Sequence, residues 1–253
     1  MRLFTRIGIR TRVLFSLLRV PFGARAKILT PSETADRITE GKSLIRIGDG
    51  EMRLMRGLSL GFEVPSDGLV SELKEVREIF SRMGDGCPYL LCVPRKFMNA
   101  SALSLMKKRH YVSSWAEARF YFKRHFSRSV TYGDAFIFSK DYPAECDRIL
   151  TYLGQRPVIF VHNSRECFER FKEAHGGAVH YLPCPDTLAY EKIDELESAV
   201  YSIAQDNGYG PGDVRLVISA GPCAKPLVMR TSKRGYQAID TGHLFDRPLE
   251  DMK

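Results

Sequence analysis

The sequence predicts an α/β fold, Rossmann-like, with a largely parallel sheet covered by helices on both faces. Three observations lead there. Short apolar runs such as Tyr89–Val93, Val158–Val161 and Val214–Ser219 read as strands buried on both sides. Helical patterns separate these runs, the alternation that builds βαβ units. No repeat, low-complexity linker or composition shift follows residue 30, so 30–253 reads as one domain. The 253 residues are 44% hydrophobic and 27% charged, a balance that excludes a disordered chain and is ample for a packed core.

Thr30-Pro31-Ser32-Glu33 opens a helix with a hydroxyl cap, proline at the first helical position and a glutamate able to close a capping box. That helix should run to about Glu40 and stop at Gly41. Leu44–Ile47 follows as a strand, then a turn at Gly48-Asp49-Gly50-Glu51. A helix over 66–82 precedes the strand Tyr89–Val93, and Ser114 is expected to cap a helix carrying Trp115, Phe120, Tyr121 and Phe122. Further strands are expected at Ala135–Phe138, Val158–Val161, Val179–Leu182, Val214–Ser219 and Gln237–Asp240. Helices near 142–153, 164–174, 188–206 and 223–234 lie between them.

The net charge of +8 sits almost wholly at one end. Residues 1–30 hold Arg2, Arg6, Arg10, Arg12, Arg19, Arg25 and Lys27 and no acid, so the rest is nearly neutral. Leu3, Phe4, Ile7, Leu14, Leu17 and Leu18 recur near helical spacing, with arginines on the other side. Residues 1–29 thus read as a basic amphipathic helix able to lie on an anionic membrane surface. Packing on the domain with solvated arginines is the alternative. Regular arginines exclude a signal-peptide core and argue against a spanning helix. The tail lacks the aromatic interleaving of a base-stacking surface, so nucleic acid is not an expected partner. Six scattered cysteines without a Cys-x-x-Cys pair are expected as reduced, buried thiols rather than a zinc site. The expected location is the cytoplasm, peripheral to the inner face of the cell membrane.

In such sheets ligands bind beyond the carboxyl ends of strands. Three segments stand there. In Arg46-Ile47-Gly48-Asp49-Gly50-Glu51, carboxylates of Asp49 and Glu51 one residue apart can both reach a hard cation, Mn2+ or Mg2+, and Arg46 can bond phosphate. In Ser219-Ala220-Gly221-Pro222-Cys223-Ala224-Lys225, small residues run into a helix N-terminus, which reads as an anion site or as an ordinary tight βα turn. Lys225 there either adds a charge or only solvates the helix, and the Walker A spacing is absent. In Ile239-Asp240-Thr241-Gly242-His243, the histidine is placed to ligate metal or bond phosphate, although a lone histidine is more often structural. Asn163 follows a strand and is placed to face a ligand. Asp134, Asp186 and Asp240 are the candidate bases or nucleophiles, unranked by sequence. Trp115 reads as core rather than as a sugar platform.

Taken together these segments resemble the GT-D glycosyltransferases, a bacterial family. The resemblance spans about residues 30–245, carried by Ser43–Glu51, Gly221–Lys225 and Gly235–His243, and more weakly by Tyr132–Phe136. It implies a Rossmann-like domain, an Asp-x-Glu metal motif matched by Asp49 and Glu51, and transfer of a sugar, typically glucose from UDP-glucose, to a glycan or lipid-linked glycan in polysaccharide synthesis. Leu244–Pro248 and Arg165-Glu166-Cys167 depart from the family pattern. The expected donor-binding residues are Arg46, Gly48, Gly50, Asn163, Ser219, Gly221, Pro222 and Lys225, with Asp49, Glu51 and Asp240 catalytic and Asp49, Glu51 and His243 on the metal. The competing expectations are an S-adenosylmethionine methyltransferase and a non-enzymatic membrane-surface adaptor.

Overall fold

The computed structural model describes residues 25–100 and 109–246. The basic helix expected over residues 1–29 therefore lies outside the described residues, apart from its last few. Those last residues belong to the domain. Lys27–Ile28 (β1) pairs with Thr131–Asp134 (β4), so the folded body starts slightly earlier than residue 30.

Eight parallel strands form one sheet in the order β1-β4-β3-β2-β8-β7-β5-β6. The others are Ser43–Arg46 (β2), Tyr89–Val93 (β3), Val158–His162 (β5), Val179–Pro183 (β6), Arg215–Ser219 (β7) and Gln237–Asp240 (β8). Every residue of β3 and β5 is buried, as a doubly covered parallel sheet requires. Each such aliphatic side chain contributes about 1.5–3 kcal/mol relative to exposure.

Among the described residues nine helices cover the sheet: Pro31–Thr39 (α1), Asp49–Leu54 (α2), Asp67–Met83 (α3), Arg95–Met98 (α4), Arg109–His125 (α5), Pro143–Leu153 (α6), Arg165–His175 (α7), Ile193–Asp206 (α8) and Ala224–Lys233 (α9). α1 starts as expected. The Thr30 hydroxyl accepts from Glu33 N (3.2 Å), and the Glu33 carboxylate accepts from Thr30 N (2.7 Å). Such a cap is worth about 1 kcal/mol. Thr34 on its buried side accepts from Asp134 N (3.0 Å), tying α1 to the end of β4.

Three expectations of local structure fail for identifiable reasons. The strand expected at Ala135–Phe138 lies four residues earlier, at Thr131–Asp134, and 135–138 is turn. Asp134 ends the strand because its carboxylate accepts from Phe136 N (3.0 Å) and Arg95 N (3.3 Å), offering the backbone a turn instead of a ladder. Gly133 is required there, since a Cβ would stand 2.3 Å from Cys92 Sγ. Ser114 is not a cap. It sits inside α5, whose helical run begins at Arg109. The third concerns Asp49-Gly50-Glu51, which is the first turn of α2 rather than a loop.

All six cysteines are buried and free, as expected. Among the described residues no helix is long and apolar enough to cross a membrane.

The sheet order places β2 between β3 and β8. Chain leaving β2 heads to one side of the sheet, while β8 is reached from β7 on the other. Their carboxyl ends diverge, and a crevice opens where parallel sheets bind ligands.

Candidate active site

At the end of β2, Gly48 caps α2 in extended geometry (φ −103°, ψ −166°). With no side-chain oxygen there, the cap comes from the other direction: Glu51 Oε2 accepts from Gly48 N at 2.7 Å. That bond pulls the Glu51 carboxyl back toward the strand end. Asp49, two residues earlier, is half-buried in the same place. Burial and the nearby Glu51 charge raise its pKa above the usual aspartate range, against amides of Asp49 and Gly50 and the Ser114 hydroxyl, which lower it. Gly50 packs against Leu60, which would lie 3.3 Å from a Cβ at that position.

A buried charge network stands behind this pair. Lys225, in the first turn of α9, is nearly inaccessible, and its Nζ lies 3.0 Å from Glu51 Oε1 and 3.2 Å from Asp240 Oδ2. It also donates to Gly221 O (3.0 Å). Burial lowers the Lys225 pKa, but Asp240 and then Glu51 more than offset it, so the ammonium stays charged. Asp240 in turn accepts from Arg46 N (3.1 Å) and Gly242 N (3.2 Å), and Arg46 NH2 approaches it at 3.8 Å. The Arg46 guanidinium lies against Gly242, whose φ of +53° and lack of Cβ are both needed. A Cβ there would fall 1.6 Å from Arg46 NH2.

These groups border a cleft of about 470 Å3 at the carboxyl ends of the strands. Nine of the expected residues meet in its wall: Arg46, Gly48, Asp49, Glu51, Asn163, Ser219, Gly221, Pro222 and Lys225, and His243 stands at its mouth. The three sequence segments therefore form one site. Two expected residues do not line it. Gly50 serves packing. Asp240 is wholly buried and held by Lys225, Arg46 and Gly242, so it positions cations and does not touch a ligand. Asp134 is likewise buried in its turn, with a pKa raised by burial. Of the three candidate bases, Asp186 alone lines the cleft.

Lys225 is neither free phosphate ligand nor solvated charge. It pairs with two carboxylates, Glu51 and Asp240. Trp115 is core, as expected, stacked on Phe97 (4.4 Å, 12°), yet one edge reaches the cleft. Sequence reasoning missed Phe62, Glu63 and Asp246, which also line it. Glu63 is buried, and burial raises its pKa against backbone hydrogen bonds from Val64 and Tyr190. A carboxylate between Phe62 and Val64 carries no periodic signal, and only the fold brings it to the wall.

A second polar group sits at the far rim. His162, last in β5, is buried, and its Nδ1 accepts from Ser164 N (2.9 Å). Its Nε2 lies 3.3 Å from Asp246 Oδ1, an electrostatic approach rather than an aligned hydrogen bond, with no other partner. Burial lowers the His162 pKa and Asp246 only partly restores it, so the ring is neutral near pH 7. Asp246 Oδ2 lies 2.5 Å from His243 Nδ1. Cys167 Sγ is close enough to His162 and Asp246 for a three-ligand cation site. The chemistry opposes that: an Nδ1 that accepts from Ser164 leaves the proton on Nε2, and Arg170 NH2 already lies 3.2 Å from Cys167 Sγ.

The geometry has counterparts in known proteins. The family model for the glycosyltransferase GT-D fold matches residues 44–247, most of the chain. Glycosyltransferase GlyD of Streptococcus pneumoniae is 26% identical over 243 residues, covering 87% of this chain and 27% of that protein. The probable glycosyl transferase Gly of Streptococcus gordonii is 24% identical over 247 residues, covering 90% of this chain and 33% of its own. The chain thus spans a third or less of these relatives. Among solved structures, the domain of unknown function 1792, described as having a distinct glycosyltransferase fold, aligns with a TM-score of 0.70 at 23% identity. That alignment covers 92% of this chain and 82% of the other. A glycosyltransferase of that domain type from Streptococcus sanguinis aligns at 0.65 and 22% identity, covering 87% and 82%. The fold agrees with these neighbours, and the matched region contains all three segments that meet in the cleft. This chain belongs to the GT-D fold family of glycosyltransferases.

Proposed function

We propose that the chain transfers a hexose, glucose as the first choice, from a UDP-sugar to a glycan or lipid-linked glycan, assisted by Mn2+ or Mg2+. The observation that carries this reading is the pair of carboxylates, Asp49 and Glu51, brought together with Arg46 and the Ser219–Gly221 turn in the wall of one cleft at the carboxyl ends of the strands. Membership in the family removes the methyltransferase alternative.

The residues fit a divalent cation. Asp49 and Glu51 offer hard oxygen donors at the cleft wall, a pair suited to Mn2+ or Mg2+, whereas His243 at the mouth does not gather with them into a three-ligand group among the described residues. Glu51 is engaged by Lys225 and Gly48 N, but a carboxylate oxygen holding one hydrogen bond keeps a second lone pair. When bound, the cation neutralises charge developing on the departing diphosphate.

The chain's own groups do the rest. Lys225 keeps Glu51 aimed at the cleft and, with Arg46, balances the buried Asp240 charge. Arg46, partly exposed in the wall, places a guanidinium next to the phosphate position. Backbone at Ser219–Gly221 gives the donor close approach without side-chain bulk. Asp186, on the facing rim, is the group available to take the acceptor hydroxyl proton.

A screen of sugar nucleotides with manganese tests the reading directly. Release of UDP from UDP-glucose that requires manganese and rises with a glycan acceptor is the expected result. Equal turnover in excess chelator would remove the metal from the proposal.

Residues 1–24 are proposed to hold the domain on an anionic membrane surface at the inner face. Vesicles containing phosphatidylserine should retain the full chain at low salt and release it as salt rises. Equal retention of a chain starting at residue 25 would refute the anchor.

A further inference from the structure

Three carboxylate residues are buried among the described residues, and two of them are fully engaged. Asp240 is enclosed by Lys225 and the amides of Arg46 and Gly242, and Asp134 by the amides of Phe136 and Arg95. Neither lines the cleft. Glu63 does, although only 3% of the residue is exposed. Its carboxylate accepts from the amides of Val64 and Tyr190. Among the described residues no cation pairs with it, and the charge that acts on it, that of Glu191, has the same sign. A carboxylate offers about four lone-pair positions, so two amides leave it half used.

The segment is fixed where it stands. Phe62 O accepts from Leu188 N (3.2 Å), and Glu63 O accepts from Leu60 N (2.9 Å). Tyr190, whose amide serves Glu63, is tied at its other end. Its hydroxyl donates to Glu72 Oε1 (2.7 Å), and Glu72 is held in turn by Arg230 (2.9 Å). The Phe62 ring, 45% exposed, lies beside the Gly221 turn, 3.6 Å from where a Cβ on that glycine would stand. The wall next to that turn thus carries an apolar ring and a carboxylate without a counter-charge. Such a carboxylate repels phosphate and is satisfied by neutral O–H donors. A sugar ring supplies them, and its C–H face suits the phenyl ring.

We propose that Glu63 is a specificity-determining residue of the donor site, its carboxylate accepting hydrogen bonds from the hydroxyls of a sugar ring of the nucleotide sugar. The proposal rests on the donor reading above and deepens it. A buried acceptor built for a hydroxyl rejects the ring that lacks it, because the acceptor is then left without its partner. Both sugars of the donor, the ribose and the hexose, carry this chemistry, and the affinities of UDP and UDP-glucose tell them apart.

Calorimetry on the full chain with manganese compares UDP, its 2′- and 3′-deoxy forms, UDP-glucose and the deoxyglucose donors, in wild type and Glu63→Gln. The variant should bind UDP-glucose roughly tenfold or more weakly. Wild type should lose a similar factor with the deoxy ligand that lacks the partner hydroxyl, and the variant should lose nothing further with that ligand. A loss already present with UDP and matched by a deoxyribose identifies the ribose. A loss confined to UDP-glucose and matched by a deoxyhexose identifies the hexose. Glu63→Asp, which draws the charge back by one methylene, gives the same comparison if the amide does not fold. Wild-type affinity for both ligands in the variant, or a loss of equal size with every deoxy ligand, overturns the proposal. Failure of the wild type to bind either UDP or UDP-glucose defeats the donor reading, and this proposal with it.

Discussion

Lys225→Met should lower the stability of the domain by about 3–5 kcal/mol, the usual cost of leaving a buried carboxylate without its partner. Two carboxylates depend on this ammonium, Glu51 at 3.0 Å and Asp240 at 3.2 Å, and Asp240 has no access to water. Arg46 stands farther from Asp240, at 3.8 Å, and compensates only in part. Urea unfolding at neutral pH measures the loss. Adding Asp240→Asn should recover much of it, because the orphaned charge goes too. A loss below about 1 kcal/mol, within the range of ordinary surface pairs, would mean that the network is not what holds the cleft wall together. The pH dependence has a definite sign. The folded pKa of Lys225 is raised, so its contribution is full below the unfolded value of about 10.4 and fades as pH climbs through the folded one. The gap between wild type and Lys225→Met should therefore narrow only in strongly alkaline solution.

Asp49→Asn should cut sugar transfer at least about a hundredfold, roughly 2.7 kcal/mol of transition-state stabilisation, without any loss of stability. Burial and the Glu51 charge raise the Asp49 pKa in the folded state. A raised carboxyl favours folding below its unfolded pKa, and that benefit disappears as pH rises through the folded value. At neutral pH the ionised group is a burden on the native state, and the amide relieves it. Thermal melting at neutral pH should thus give a Tm equal to or above that of the wild type, beside a collapse of turnover. Wild-type-like transfer by this variant would sink the assignment of Asp49. A lowered Tm would mean instead that the carboxylate serves the fold.

Much of the fold was legible because its signals are local. The capping box at Thr30–Glu33, the fully apolar runs of β3 and β5 and the alternation with helices all depend on neighbours in sequence. β4 was misread because its Thr-Tyr-Gly-Asp sequence is barely apolar, and its register is set by Thr34 and Cys92, far away in the chain. The helical start at Asp49 was hidden for a related reason. Its cap is a glycine, and the acid that completes it reaches back from Glu51. Within the site, spacing pointed to the right loops but not to the roles of Lys225 and Asp240. Nothing short of β2, β8 and α9 meeting reveals that those two charges neutralise each other. The same holds for Glu63 and Asp246, which show no motif and become site residues only through the path of the chain.

Arg46 and Asp240, joined at the centre of the sheet, are 194 residues apart in sequence. During synthesis at about 5–20 residues per second, the second arrives on the order of 10 to 40 seconds after the first. Until residues 225–240 are made, Asp49 and Glu51 stand first without Lys225 and then without Arg46's partner. A nascent or truncated chain therefore lacks an assembled cleft wall. The central seam between β2 and β8 makes the cleft the last part of the domain to be completed.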